Sequence, residues 1–348
     1  MRKTLHRLSV TSLIAILLVM LAGSVVRMTG SGMGCPDWPK CFGYMIPPTH
    51  IDNLTWSSGR DFEKGNIIVY NEGLLVAKSD FKAGSEFDLS NWEPYTKHDY
   101  AIFNPIHTWI EFINRLIGVL SGLPVLALFG FSLFYFKRDP LVPLLAFLGL
   151  ILLGFEAWLG KLVVDGNLIP HSITYHLFGA IALVAIYVFL TAWLAVFTEV
   201  KTNQRDRRII IVGSVALLLM LFQIWMGTQL REEVDGLNAL GISRTGWIEN
   251  LSLLFEFHRS FSIVVLAIVS LYALAVYRKG NLKKWPVVLM ILVAVEILAG
   301  VIMAYAHVPA AVQPVHLMFA VLSFATAWYC LLFYLKTTAS LKATSHTR

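Results

Sequence analysis

The sequence predicts an all-α integral membrane protein: eight transmembrane helices, arranged as two duplicated four-helix bundles related by a pseudo-twofold axis along the membrane normal. Three observations lead there. The chain of 348 residues is 57% hydrophobic and only 14% charged, with mean hydropathy +0.66, which leaves too little polar surface to cover a soluble globule of that size. Eight apolar runs each reach the ~20 residues a bilayer demands, and lipid offers no partner for open backbone groups, so each must be helical. Finally, four short segments of the first half recur in the same order in the second.

The runs cover residues 8–28, 105–136, 140–160, 170–197, 209–229, 251–277, 286–306 and 313–335. A signal peptide is the competing reading of the first, but the run is long and no small-x-small cleavage site follows, so it is taken as span one. Directly after it comes TGSGMGCPDWPKCFG, residues 29–43, with Cys35 and Cys41 at the mouth of the helix. In an oxidising outer compartment a nearby pair of this kind reads as a disulfide. Zinc is the weaker alternative, since two thiols do not complete a tetrahedral site. Cys330 lies within span eight and reads as packing. Residues 44–104 form one long insertion whose NIIVYNEGLLVAK segment suits a β-hairpin, with a short amphipathic helix as the alternative.

Basic residues set the orientation. Arg2, Lys3, Arg7, Lys137, Arg138, Lys201, Arg205, Arg207, Arg208, Arg278, Lys279, Lys283, Lys284, Lys336, Lys342 and Arg348 are more than half of the 28 Lys and Arg, and all fall on one side. That asymmetry places both termini in the cytoplasm of a cell whose inner, plasma membrane holds the chain. The pI of about 9.2 is this bias; the partner it implies is lipid, and no nucleic acid is called for.

The duplication pairs Gly23-x-x-x-Arg27 with Gly227-x-x-x-Arg231, INRLIG around Arg115 with FHRSFS around Arg259, Glu156-x-x-x-Gly160 with Glu296-x-x-x-Gly300, and TYHLFGA around His176 with PVHLMFA around His316. Residues 1–200 are then an N-terminal bundle carrying the insertion 44–104, and residues 201–348 a C-terminal bundle. Four spans per half give both halves the same orientation.

Ionisable residues within lipid are costly and mark function. His107, His171, His176, His258 and His316 all lie on even-numbered spans near the outer end, with Pro105, Pro170 and Pro314 as first-turn residues. Two imidazoles facing each other across an apolar bundle hold a haem iron, and His258 with His316 make such a pair; the alternative for any one of them is a hydrogen bond to a backbone carbonyl. In span two, His107, Glu111, Asn114 and Arg115 share one helix face over ~12 Å. Arg115 and Arg259 are placed to meet haem propionates, with Arg27 and Arg231 as alternatives. Glu111 would lie beside the porphyrin as a base or a stabiliser of positive charge. Glu156 and Glu296 read as packing residues, each acid paired with an arginine.

Taken together, the TGSGMGCPDWPKCFG segment, the two equivalent sets of four spans, the Glu-x-x-x-Arg of span two, the His-Arg of span six and the lone histidines of spans four and eight resemble the haem A synthase family. The resemblance implies an oxidoreductase that converts the C8 methyl of haem O to a formyl group, giving haem A for terminal oxidases. It further implies haem b as cofactor, with His258 and His316 as axial ligands, His176 in the substrate haem site, Glu111 as the acidic residue associated with catalysis, and Cys35–Cys41 as a redox-active or stabilising disulfide. The partners implied are haem O, haem O synthase and terminal oxidase assembly, with quinone as one electron acceptor and a second copy of the chain compatible with the reading.

One departure is plain: where the family motif has histidine, this chain has Asn114. His107, one turn before Glu111, is the expected substitute as iron ligand with His176; the competing arrangement is a five-coordinate haem on His176 alone. Two other classes stand beside the enzyme. A non-catalytic membrane diheme b-type cytochrome explains the histidines but not the cysteine loop or Glu111, and a transporter is suggested by duplication alone.

Overall fold

The computed structural model describes residues 1–71, 73–96, 102–165, 171–195, 206–279 and 282–345. Its helices follow the apolar runs: α1 (Arg2–Thr29), α2 (Pro105–Leu133), α3 (Leu141–Asp165), α4 (Ser172–Leu194), α5 (Arg207–Ala239), α6 (Leu253–Arg278), α7 (Lys284–Tyr305) and α8 (Val312–Ser345). All eight are long and apolar enough to cross a bilayer, so the chain is a multi-pass membrane protein. Helix α5 overruns the expected boundary at 229. The cause is visible in its polar last turns, where Arg231 Nη2 pairs with Asp235 Oδ1 at 2.8 Å, four residues on. Helix α2 starts where sequence chemistry says it should: Pro105 occupies the first turn, and the Asn104 carboxamide accepts from the amides of Ile106 (3.0 Å) and His107 (3.3 Å). Pro314 lies in the first turn of α8, whereas Pro170 is outside the described residues.

The chain divides into two compact units, one of Met1–Leu21, Leu120–Glu156 and Pro170–Arg348, the other of Ala22–Val119 and Ala157–Ile169. The boundary cuts across α1, α2 and α3.

The first unit is held by close apolar packing. With no hydrophobic drive between helices in lipid, small residues that let backbones approach become the adhesive. A Cβ on Gly149 would come within 2.7 Å of the Tyr187 hydroxyl, and one on Gly213 within 2.6 Å of the Tyr272 ring; both rings are fully buried. At the C-terminal end of α4, carbonyls without helical partners are taken by cations. Arg2 Nε donates to Leu194 O at 3.1 Å, and Lys336 Nζ to Trp193 O and Ala195 O at 2.7 and 2.9 Å. The start of α1 and the end of α4 therefore meet α8 at one end of this unit. Cys330 is buried in the apolar core, a packing residue as its sequence context suggested.

The second unit contains the disulfide loop and the insertion. Cys35 and Cys41 are joined, which removes the zinc alternative for that pair. The insertion folds as two small antiparallel sheets: β1 (Asp61–Phe62) with β4 (Phe81–Lys82), and β2 (Ile67–Tyr70), β3 (Gly73–Ala77) and β5 (Trp92–Pro94) in the order β2-β3-β5. Strand content thus supplements the helical class in this one segment. The hairpin prevails over the amphipathic helix because its side chains serve two cores at once. Ile67, Val69, Leu74 and Val76 pack with Cys35, Cys41 and Phe42, while Ile68, Leu75 and Ala77 pack with Phe62 and Trp92. Only a period of two sends alternate residues to opposite faces.

Gly43 closes the disulfide loop onto this sheet. Its φ is +80°, and a Cβ there would overlap Gly65 O and lie 2.5 Å from Asn66 Cα. Gly43→Ala is expected to destabilise the second unit by at least about 1–3 kcal/mol from backbone strain alone, read as a lower melting temperature of the purified chain in detergent. An unchanged melting temperature would remove the close approach as a constraint.

Candidate functional site

In the second unit, the loop after α1 is clamped onto the first turns of α2. Gly34 lies flat against that helix: a Cβ would come 2.5 Å from His107 O and 2.8 Å from Thr108 N, so only glycine permits the approach. Thr108 Oγ1 donates to Gly34 O at 2.8 Å, and Cys35 N donates to Glu111 Oε2 at 2.8 Å. The second carboxylate oxygen of Glu111 pairs with Arg115 Nη2. Arg115 Nη1 in turn donates to Asp37 O (2.7 Å) and Lys40 O (3.0 Å). Glu111 is 2% exposed, and both cysteines are fully buried. Asp37 accepts from Gly43 N at 2.9 Å; burial pushes its carboxyl above the usual range, against the lowering effect of the backbone amides of Gly43 and Phe42 and of Arg115.

Arg115, expected at a haem propionate, has both its terminal nitrogens engaged by the loop and by Glu111. The reason is local: two loop carbonyls and a carboxylate one turn away converge on one guanidinium fork. Asn114 neighbours Gly23, whose Cβ would lie 3.8 Å from Asn114 Oδ1; that oxygen is buried without a hydrogen-bond partner. His107 sits in the first turn of α2, its amide capped by Asn104. His107, Glu111, Asn114, Arg115, Cys35 and Cys41 all belong to this unit.

The first unit contains His176, His258, Arg259 and His316. His258 lies on α6 and His316 on α8. Each ring rests on a glycine of the preceding helix: a Cβ on Gly227 of α5 would lie 3.5 Å from His258 Cε1, and one on Gly300 of α7 3.3 Å from His316 Cε1. His316 Nδ1 is 2.9 Å from Glu296 O. A carbonyl only accepts, so Nδ1 carries the proton and Nε2 keeps its lone pair. The backbone of His258 is held by Gln223 Nε2, which donates to His258 O at 2.9 Å. Arg259 is exposed, with its guanidinium 5.7 Å from the Phe255 ring.

On α4, His176 Nδ1 lies 2.6 Å from Glu156 Oε2. The contact is close, but its angle is not that of a hydrogen bond, and both atoms otherwise lack a hydrogen-bond partner. The expectation of an arginine opposite Glu156 is therefore corrected: its neighbour is an imidazole. His171 is not embedded in a helix. It caps α4 in a left-handed conformation (φ 64°), exposed, with its amide donating to Glu232 Oε1 at 3.1 Å and Nδ1 3.2 Å from Oε2.

Comparison with known proteins shows the family. The profile of the family described as Cytochrome oxidase assembly protein matches residues 6–64 and 72–328, nearly the whole chain. The chain belongs to that family. Among similar members of known name is the Heme A synthase of Shewanella oneidensis, 23% identical over 333 residues, covering 88% of this chain and 89% of that protein. The Heme A synthase of Rickettsia bellii is 23% identical over 365 residues, covering 95% and 98%, and that of Wolbachia pipientis wMel is 24% identical over 356 residues, covering 94% and 91%. For this member of the cytochrome oxidase assembly family, the residues in the first unit fit a haem. Two imidazoles on neighbouring helices are each seated against bare glycine backbone, and one has its second nitrogen available. His258 Nδ1, buried without a partner, is the orphan that the pair leaves.

Several residues in these sites were missed by sequence reasoning. Gly34, Gly227 and Gly300 act as seats, Asp37 and Lys40 supply backbone acceptors, and Glu296 contributes its carbonyl rather than its carboxylate. A signal was present for Gly227 and Gly300 alone, in the recurring Gly of the paired segments.

Proposed function

We propose that the chain is a haem A synthase that oxidises the C8 methyl of haem O to a formyl group. On this reading the C-terminal half, 201–348, holds haem b between His258 and His316, and the N-terminal half, 1–200, holds the substrate haem at His176. The observation that carries it is the pair of glycine-seated imidazoles, His258 and His316, in a chain whose similar relatives bear the name Heme A synthase. Asn114-Arg115 aligns with His258-Arg259, and Gly23 lies by Asn114 as Gly227 lies by His258. The first half thus has a carboxamide where the second has an imidazole. An amide is a poor iron ligand, so the substrate iron is assigned to His176.

When bound between two histidines, haem b supplies one-electron transfer without an open coordination position. The chain's own residues do the rest. Glu111, fixed by Cys35 N and Arg115, is a preorganised negative group at the outer end of α2, suited to positive charge developing at the oxidised carbon and to accepting a proton there. The disulfide loop holds that carboxylate out of bulk water. Arg259, exposed at the outer end of α6, and Arg115 are the proposed propionate partners. The excess of Lys and Arg on one side supports a plasma-membrane orientation with both termini cytoplasmic. A quinone or the Cys35–Cys41 disulfide is the proposed electron acceptor. Haem O synthase would be the upstream partner and terminal oxidase assembly the destination.

Cells that make haem O but no haem A, supplied with this chain, are expected to accumulate haem A, read by chromatography of extracted haems. If the inserted, haem-loaded chain leaves haem O unconverted, the diheme cytochrome becomes the better description.

A further inference from the structure

We propose that Glu156 is a positioning residue for the substrate-site histidine, holding the Nδ1 edge of His176 so that its other nitrogen is presented to the substrate iron. The inference rests on the haem A synthase reading for the identity of that iron. Its evidence is geometric. Glu156 is 5% exposed, and its carboxylate oxygen lies 2.6 Å from His176 Nδ1. No hydrogen bond to either oxygen is found among the described residues. A buried carboxylate with one close polar neighbour is retained at a cost unless that neighbour needs it.

The space it occupies is made by the helix that carries the histidine. Gly179 is three residues beyond His176, on the same face of α4, and a Cβ there would overlap the Glu156 carboxylate. The second half shows what happens without that space. HLFGA around His176 becomes HLMFA around His316, so Phe319 stands at the position of Gly179. There the imidazole meets the backbone carbonyl of Glu296 at 2.9 Å in place of a carboxylate. The same acidic position on α3 and α7 thus serves its histidine in two ways, and the residue at 179 or 319 selects between them. A carboxylate behind a ligating imidazole orients the ring and strengthens its donation to the metal more than a carbonyl does. The substrate-site histidine is therefore the more strongly donating of the two.

The test uses the full chain purified in detergent, with ferrous haem O added under argon as probe. Binding is followed by absorption and the iron–histidine stretch by resonance Raman. Glu156→Ala is expected to weaken haem O binding by roughly 10–100-fold and to lower the stretching frequency. Glu156→Gln, which keeps an oxygen acceptor, should lie between Ala and the parent. Gly179→Ala, which leaves both the acid and the histidine in the sequence, should resemble Glu156→Ala. In each case the low-spin signal of the His258–His316 haem must persist, reporting an intact fold; if Glu156→Ala loses it, Glu156→Gln and Gly179→Ala carry the test. Unchanged affinity and stretch in variants that retain that signal would overturn the proposal while leaving the enzyme reading intact. Failure of the parent chain to bind haem O would instead sink the reading on which it rests.

Discussion

Replacing His316 with alanine is expected to abolish the low-spin, six-coordinate haem spectrum of the purified chain and, with it, haem A formation. His316 is the better-defined of the two proposed axial ligands. Its Nδ1 is committed to Glu296 O and its Cε1 is seated against Gly300, so the ring has one orientation and one nitrogen left to offer. Loss of that nitrogen leaves His258 as the only imidazole of the pair, and a bis-histidine site cannot persist on one ligand. A second variant separates ligation from packing. Gly300→Val keeps the histidine but sets a branched side chain where even a Cβ would lie 3.3 Å from the ring, and the same spectral loss is expected from displacing His316. The measurement is the α-band absorption and haem content of membranes. Retention of a low-spin spectrum in His316→Ala would take His316 out of the site.

The second large effect is expected at Arg115. It joins the disulfide loop to α2 through Asp37 O, Lys40 O and the carboxylate of Glu111, and its side chain is 13% exposed against 3% for its partner. Arg115→Ala leaves Glu111 a buried carboxylate without its counter-charge, and breaking a buried pair from one side costs about 3–5 kcal/mol. Arg115→Leu combined with Glu111→Gln is expected to recover most of that stability, because no uncompensated charge remains. Turnover should not recover with it, since the proposed catalytic carboxylate is gone. Thermal unfolding of the two variants in detergent, beside haem O conversion in membranes, reads the two quantities separately. Equal destabilisation of the single and double variants would mean that lost loop contacts, and not the stranded charge, dominate. Full turnover in the double variant would remove Glu111 from catalysis.

How much was legible beforehand differs from element to element. The eight helices were readable because each apolar run is dictated by the solvent, and lipid permits one backbone solution. The hairpin at Ile67–Ala77 was readable as one of two alternatives; the decision lay in the two separate cores that its faces serve. The disulfide was readable from spacing and compartment. The protein contacts of Arg115 were not readable. Sequence shows a cation on the helix face that bears Glu111, but not that the loop folds back to offer the carbonyls of Asp37 and Lys40. The arginine expected opposite Glu156 gave way to His176, because that pairing depends on a glycine of another helix making room for a carboxylate.

Composition, periodicity and the placement of basic residues by themselves determined the class, the number of spans and the residue types available for iron, because those follow from transfer of side chains and backbone between water and lipid. Only the tertiary structure decided which polar groups meet. Pairings such as Glu111 with Cys35 N, Arg115 with the loop, His316 with Glu296 O and His176 with Glu156 join residues from different segments. Hydrogen bonds and ion pairs act over about 3 Å, a distance that helix packing and loop closure set and that no local run of residues encodes.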